Sequence, residues 1–342
     1  MLHRSRTPLR LGLAGGGTDV SPYSDIYGGA ILNSTINLYA YASIRPTDNN
    51  KIIINAIDRK ELIELQSIEE LEIDGKLDLI KGVYNRIVKD FIKKPLSFEI
   101  STYVDAPAGS GLGSSSTLTV SIIGAFVEWL NIPLGEYDIA HLAYEIERLD
   151  LGMAGGKQDQ YAATFGGFNY MEFFKNDKVI VNPLRIKQDY INEMEMSLLL
   201  YYTGTSRLSA NIIEAQTNNI LKKDQRSIEG MHKLKKQAKM MKEIILKGEL
   251  DEIGDILDYG WKYKKQLTSA ISSPIIDELY DCAIKKGATG GKISGAGGGG
   301  FMMFYCPSNT RHSVIEGLKE FGGEFKPFSF TKDGLTSWTI NT

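Results

Sequence analysis

The chain is 342 residues long, a length that suggests about two domains. Hydrophobic residues make up 42% of it, which supports folded cores and excludes a globally disordered chain. The formal net charge of −3 excludes a general basic field for nucleic acid or an anionic membrane.

The chain opens on Met1–Arg10, charged and with no apolar segment behind it, which argues against a secretory signal. Thr7–Ala14 reads as a strand and ends in Gly15-Gly16-Gly17-Thr18-Asp19. Three glycines after a strand mean that backbone passes close to something. Ala30–Ile44 is rich in β-formers and reads as one or two strands, and Ile52–Ala56 as another. From Leu77 to Ile92 the apolar residues fall at helical spacing. Leu96–Val104 is an extended run, and Thr117–Leu130 is long, apolar and helical.

Between them lies Pro107–Ser116, with three glycines and four serines in ten residues. Strand, glycine loop, helix is a specific junction. Glycines let the backbone turn sharply and approach a ligand. Serines belong at a helix N-cap, and the free N–H groups with the positive end of the helix dipole suit a phosphate. A Walker loop would place Lys after its last glycine, where this chain has Ser114. A dinucleotide fingerprint needs a different glycine spacing from Gly109, Gly111, Gly113.

Gly135–Asp150 reads as a helix, and the glycine-rich turn after it delivers Lys157 and Asp159. Gly166–Phe174 and Val179–Leu184 suggest a hairpin, and Met196–Tyr202 a strand. From Ser206 to about Ile271 the period is helical, and over Lys222–Lys247 lysines lie opposite an apolar stripe, as on a solvated face. A third glycine block, Gly290–Gly300, precedes the strand Phe301–Tyr305. A helix near Asn309–Phe321 and strand-like Glu324–Phe330 and Leu335–Ile340 close the chain. The irregular interleaving predicts an α+β fold in two domains, residues 1–185 and 186–342. Cys282 and Cys306 make no metal-ligand spacing, the four histidines are scattered, and no apolar run reaches transmembrane length. A reducing cytoplasm fits, with no nucleic-acid or membrane partner.

Glycine motifs at the start, a third of the way along and near the end form a rare set. Pro8–Asp19, Pro107–Ser116 and Lys292–Phe301 together resemble the GHMP kinase superfamily over nearly the whole chain. Within it, the Ala-Gly-Gly-Gly-Thr-Asp form of the first motif and Tyr202–Ser209 are similar to the bacterial D-glycero-D-manno-heptose 7-phosphate kinases. The resemblance implies an N-terminal domain like ribosomal protein S5 domain 2, a ferredoxin-like C-terminal domain and a site between them. It implies ATP- and Mg²⁺-dependent phosphorylation of the anomeric hydroxyl of the sugar phosphate, by a monomer or homodimer. A kinase of an unphosphorylated sugar such as fucose, or a non-catalytic sugar-binding regulator, is the alternative.

Phosphoryl transfer needs positioning and charge stabilisation above all. Pro107, Gly109, Ser110, Gly111, Leu112, Gly113, Ser114 and Ser115 are the expected nucleotide contacts, with the N–H groups of residues 109–115 on the phosphates. Ser115 and Glu147 are the expected magnesium ligands. The resemblance makes Asp159 the base or electrostatic partner of the acceptor hydroxyl, with Arg10 beside it to lower its pKa and stabilise the moving group. Gly17, Thr18 and Asp19 are expected at the acceptor's hydroxyls. Arg207, then Lys157, is expected at its phosphate, because cations grip phosphate strongly. Lys292 and Gly297 would close the site from the C-terminal domain.

Overall fold

The computed structural model describes residues 1–204 and 209–341. Its first part runs β1 (Leu2–Ala14), α1 (Tyr23–Tyr27), β2 (Gly29–Pro46), β3 (Lys51–Ala56), β4 (Glu61–Gln66), α2 (Asp78–Ile87), β5 (Phe98–Val104), α3 (Ser114–Leu130), α4 (Glu136–Glu145), α5 (Gln158–Phe165), β6 (Phe168–Phe173) and β7 (Val179–Pro183). The second runs α6 (Gln188–Ser197), β8 (Leu198–Tyr202), α7 (Ser209–Leu221), α8 (Gln225–Lys247), α9 (Ile253–Lys264), α10 (Pro274–Lys285), β9 (Gly290–Ile293), β10 (Phe301–Tyr305), α11 (Arg311–Leu318), β11 (Glu324–Phe325) and β12 (Thr336–Ile340). Both α2 and α4 end in a π turn, at Val88–Ile92 and Ile146–Asp150.

The large sheet is ordered β12-β1-β2-β5-β3-β4, with β6 and β7 paired onto the first half of β2. Only the β3–β5 pairing in it is parallel, with Ile54 opposite Ile100. The small sheet, β11-β8-β10-β9, is antiparallel throughout. Strand β12, in the stretch expected to belong to the second domain, pairs with β1 instead, Leu2 opposite Ile340.

Alternation in β2, β3 and β5 sends Ile44, Ile52, Ile54, Phe98 and Ile100 to one face, where they meet Val83, Ile87, Val120, Ile123 and Phe126 from α2 and α3. The helix stripe foreseen over residues 77–92 is the reason α2 lies there. The opposite face carries Leu9, Leu11, Leu13 and Leu32, which pack on Leu198, Leu200, Met241, Ile245, Leu257 and Met303. One apolar layer therefore joins the two lobes, and β1 is buried on both sides from Thr7 to Ala14. The other face of the small sheet packs on α10 and α11 through Leu279, Ala283, Val314 and Leu318.

Helix boundaries follow local chemistry. The Asp224 carboxylate caps α8 by accepting the Ser227 N–H at 2.8 Å, and Gly248 ends it with φ 83°. Residues 196–202 differ from expectation in one respect: α6 runs through Ser197, so the strand starts at Leu198.

Candidate active site

The residues of the central loop are set by three left-handed glycines, Gly109, Gly111 and Gly113, with φ 73°, 84° and 78°. Gly113 is the N-cap of α3, so the N–H groups of Ser114, Ser115 and Ser116 open its first turn without partners inside the helix. The loop is held from the other lobe. Ser294 Oγ donates to the Gly111 carbonyl at 2.9 Å, and the Phe301 N–H donates to the Ser110 carbonyl at 2.9 Å. A Cβ at Gly111 would lie 2.3 Å from the Ser294 carbonyl oxygen, so no larger residue fits this seam. The Ser110 N–H is already bonded to the Pro107 carbonyl at 3.1 Å. That removes it from the N–H groups expected at the phosphates.

These elements enclose a cavity of about 760 Å³ between the lobes. Gly109, Ser110, Gly111, Gly113, Ser114, Ser115, Glu147, Arg10, Gly17, Asp19 and Asp159 all border it. Pro107 does not; it borders a separate hollow of about 190 Å³ with Asp105, Tyr202 and Lys326. The Leu112 side chain is fully buried, and its carbonyl accepts the Arg10 N–H at 3.2 Å. Gly297 packs on Ile271 rather than on the cavity.

Asp159 sits in the first turn of α5, and Arg10 reaches it from β1. Arg10 Nε and Nη2 both approach Asp159 Oδ1, at 2.8 and 2.7 Å, and Nη1 donates to the Gly111 carbonyl at 2.6 Å. Gln158 Nε2 donates to the same Oδ1 at 3.0 Å. With Oδ1 saturated, Oδ2 is the open atom, and a Cβ at Gly113 would lie 3.2 Å from it. The carboxylate therefore abuts the start of α3. Burial alone would push the Asp159 carboxyl up, but Arg10 and the Gln158 amide outweigh it and hold it below the ordinary carboxylate range.

Glu147, in the π turn after α4, is fully buried. Its Oε2 accepts from Ser116 Oγ at 2.7 Å and from Gln160 Nε2, and Arg148 stands 3.5 Å away. Its Oε1 has only longer contacts, with Thr119 Oγ1 at 3.2 Å and Ser115 Oγ at 3.5 Å. Two hard oxygens side by side at the end of the phosphate loop fit a magnesium ion that takes its remaining ligands from phosphate and water.

On the acceptor side, Asp19 Oδ2 accepts the Gln158 N–H at 3.0 Å, and a Cβ at Gly156 would overlap it. Two expectations are corrected here. The Thr18 hydroxyl is fully buried and bonded to the Gly15 and Ala30 carbonyls, both at 2.9 Å, so it shapes the glycine turn rather than facing a sugar. Lys157 points out of the cavity, with its ammonium 2.9 Å from Asp177, 3.6 Å from Asp25 and over the Tyr144 ring. The first turn of α5 sends Gln158 and Asp159 inward and its N-cap Lys157 the other way. Lys157→Met is accordingly expected to leave acceptor KM within about two-fold; a ten-fold rise in steady-state assays would return that ammonium to the site. Arg207 lies outside the described residues.

The cavity also holds residues that the sequence did not single out as site residues. Arg148 anchors the Gly152–Gly156 wall through the Gly156 and Met153 carbonyls, at 3.3 and 3.4 Å. Lys264 closes the cavity from α9, opposite Lys292 of β9, which was expected there. Lys264 falls one turn after Trp261 on the buried face of α9, a position that helical periodicity could have exposed.

Residues 78–167 match the family described as GHMP kinases N terminal domain, and residues 240–324 that described as GHMP kinases C terminal. The chain is 50% identical to the D-glycero-alpha-D-manno-heptose 7-phosphate kinase of Campylobacter jejuni, over 98% of this chain and 99% of that one. It is 50% identical to a crystal structure named as a D-glycero-D-manno-heptose 1-phosphate kinase from Bacteroides thetaiotaomicron, covering 99% and 100% of the two chains with a TM-score of 0.85. It is 29% identical to the bifunctional fucokinase/GDP-fucose pyrophosphorylase of Arabidopsis thaliana, over 93% of this chain but 31% of that protein.

Proposed function

The chain belongs to the GHMP kinases, and we propose that it moves the γ-phosphoryl group of ATP to the anomeric hydroxyl of D-glycero-D-manno-heptose 7-phosphate, giving the 1,7-bisphosphate on the way to nucleotide-activated heptose. One observation carries the chemistry. The open Oδ2 of Asp159 lies against Gly113, at the helix end suited to phosphates. A hydroxyl bonded to that oxygen stands beside the group it attacks.

The acceptor class is supported by two relatives at 50% identity, both named as kinases of a heptose phosphate. The phosphate tail of ATP would lie along Gly109–Ser115. Ser115 and Glu147 would hold a magnesium ion, which would supply charge neutralisation there. Asp159 orients the acceptor hydroxyl and draws on its proton. Because Arg10 makes that carboxylate a weak base, the proton leaves late, as the oxygen–phosphorus bond forms. Arg10 spans Asp159 and the Gly111 carbonyl, so one guanidinium ties the acceptor partner to the phosphate loop.

The test is ADP release with heptose 7-phosphate, heptose 1-phosphate, free heptose, fucose and galactose. The kcat/KM for heptose 7-phosphate is expected to exceed each other value by about 100-fold or more, because a site built for a polar group rejects analogues that lack it. Phosphorus NMR of the product should show two phosphomonoesters. A preference for fucose or for the 1-phosphate would overturn the acceptor assignment.

A further inference from the structure

The cavity has two cations to which no ligand has been assigned. Lys264 and Lys292 both border it and are 3% and 6% exposed. An ammonium carries three N–H bonds. Lys264 donates one to the Gly16 carbonyl at 3.2 Å, and Lys292 one to the Gly12 carbonyl at 2.6 Å. Among the described residues neither has a carboxylate within 4.0 Å. Buried lysines without such a partner are rare, because desolvation of the charge goes uncompensated.

The surroundings point to an anion. The other charged groups bordering the cavity are Arg10, Asp19, Glu147, Arg148, Asp159 and Glu214. Arg10 is paired with Asp159, and Arg148 with Glu147. Asp19 is bonded to the first turn of α5, and Glu214 is exposed at the rim. The amide nitrogen of Gln216, a residue 3% exposed and also bordering the cavity, has no hydrogen-bond partner among the described residues. Two ammoniums and an amide thus present unused donors to the cavity.

We propose that Lys264 and Lys292 are the receptor for the acceptor's own phosphate, and that they set the preference for a phosphorylated over a neutral sugar. The inference rests on the heptose phosphate reading above. It replaces Lys157, whose ammonium faces away, and it places the phosphate on cations supplied by the second lobe. A phosphorylated acceptor then links α9 and β9 to the β1 glycine turn. A neutral sugar leaves both ammoniums desolvated and unpaired.

Burial lowers Lys264 to about 8 against the opposing charge of Asp19, and burial, Lys264 and Arg10 lower Lys292 to about 7. Near pH 8 both are partly deprotonated. A phosphate dianion beside them raises both, so binding takes up protons.

The experiment compares Lys264→Met and Lys292→Met with the wild-type enzyme on heptose 7-phosphate and on unphosphorylated heptose. The ratio of the two kcat/KM values is expected to fall by about 100-fold in each variant, with KM for ATP changing far less. Calorimetric titration of wild-type enzyme with each acceptor near pH 8, in buffers of different ionisation enthalpy, keeps the test open if a variant fails to fold. Proton uptake is expected with the phosphorylated acceptor alone. Preference retained in both variants, or equal uptake with both acceptors, overturns this inference and leaves the kinase reading standing. No preference in the wild-type enzyme overturns both.

Discussion

Asp159→Asn loses about three orders of magnitude or more in kcat while the Kd for ATP stays within about two-fold. The substitution is nearly isosteric, and its amide oxygen can still accept from Arg10. What disappears is the negative charge on Oδ2 that draws on the acceptor proton. The proposed nucleotide contacts lie on the loop and on α3 rather than on α5, so binding should survive. Single-turnover ADP release, with ATP affinity measured separately by calorimetry, checks both halves. Turnover near that of the wild-type enzyme would remove Asp159 from the mechanism, and loss of ATP binding would make it structural.

Arg10→Met has the second largest effect, about 100-fold in kcat with a displaced pH profile. Burial is the strongest influence on the Asp159 carboxyl and pushes it up; Arg10 is the first of the groups opposing it. Removing the guanidinium lets burial prevail. The carboxyl then protonates at a higher pH than in the wild-type enzyme, and the acid limb of kcat/KM moves up. The same change frees the Gly111 carbonyl from its 2.6 Å donor and loosens the phosphate loop. An acid limb that stays in place while kcat falls would mean that Arg10 acts on the phosphoryl group alone.

Much of this site was legible because its backbone makes local demands. Gly109, Gly111 and Gly113 announce left-handed turns, and the serines after them announce a helix start. Thr18 and Lys157 were misread for one reason. Both lie beside glycines that do line the cavity, but which way a side chain leaves a turn depends on tertiary packing. Lys157 leaves toward Asp25 and Asp177, which no local pattern connects to it. Lys264 was hidden differently, set between Lys262 and Lys265 in a charged stretch. Its burial follows from the packing of α9 against β9, a contact between residues far apart in the chain.

In the fold, long amphipathic α2 and apolar α3 were plain, whereas β4 was not. Its side chains alternate between half-buried and exposed at the sheet edge, so Glu61–Gln66 shows little apolar contrast. Helix α10 begins on a Ser-Pro cap, with Ser273 accepting the Ile276 N–H at 3.4 Å, a start signal that can be read without the structure.

The pairing of β12 with β1 orders events during synthesis. Strand β1 leaves the ribosome well before its edge partner, with most of both lobes made between them. Until residues 336–340 emerge, one rim of the large sheet offers unsatisfied amides and carbonyls to any passing strand. The nascent protein must shield that rim, by a chaperone or by delay, while the intervening chain is made.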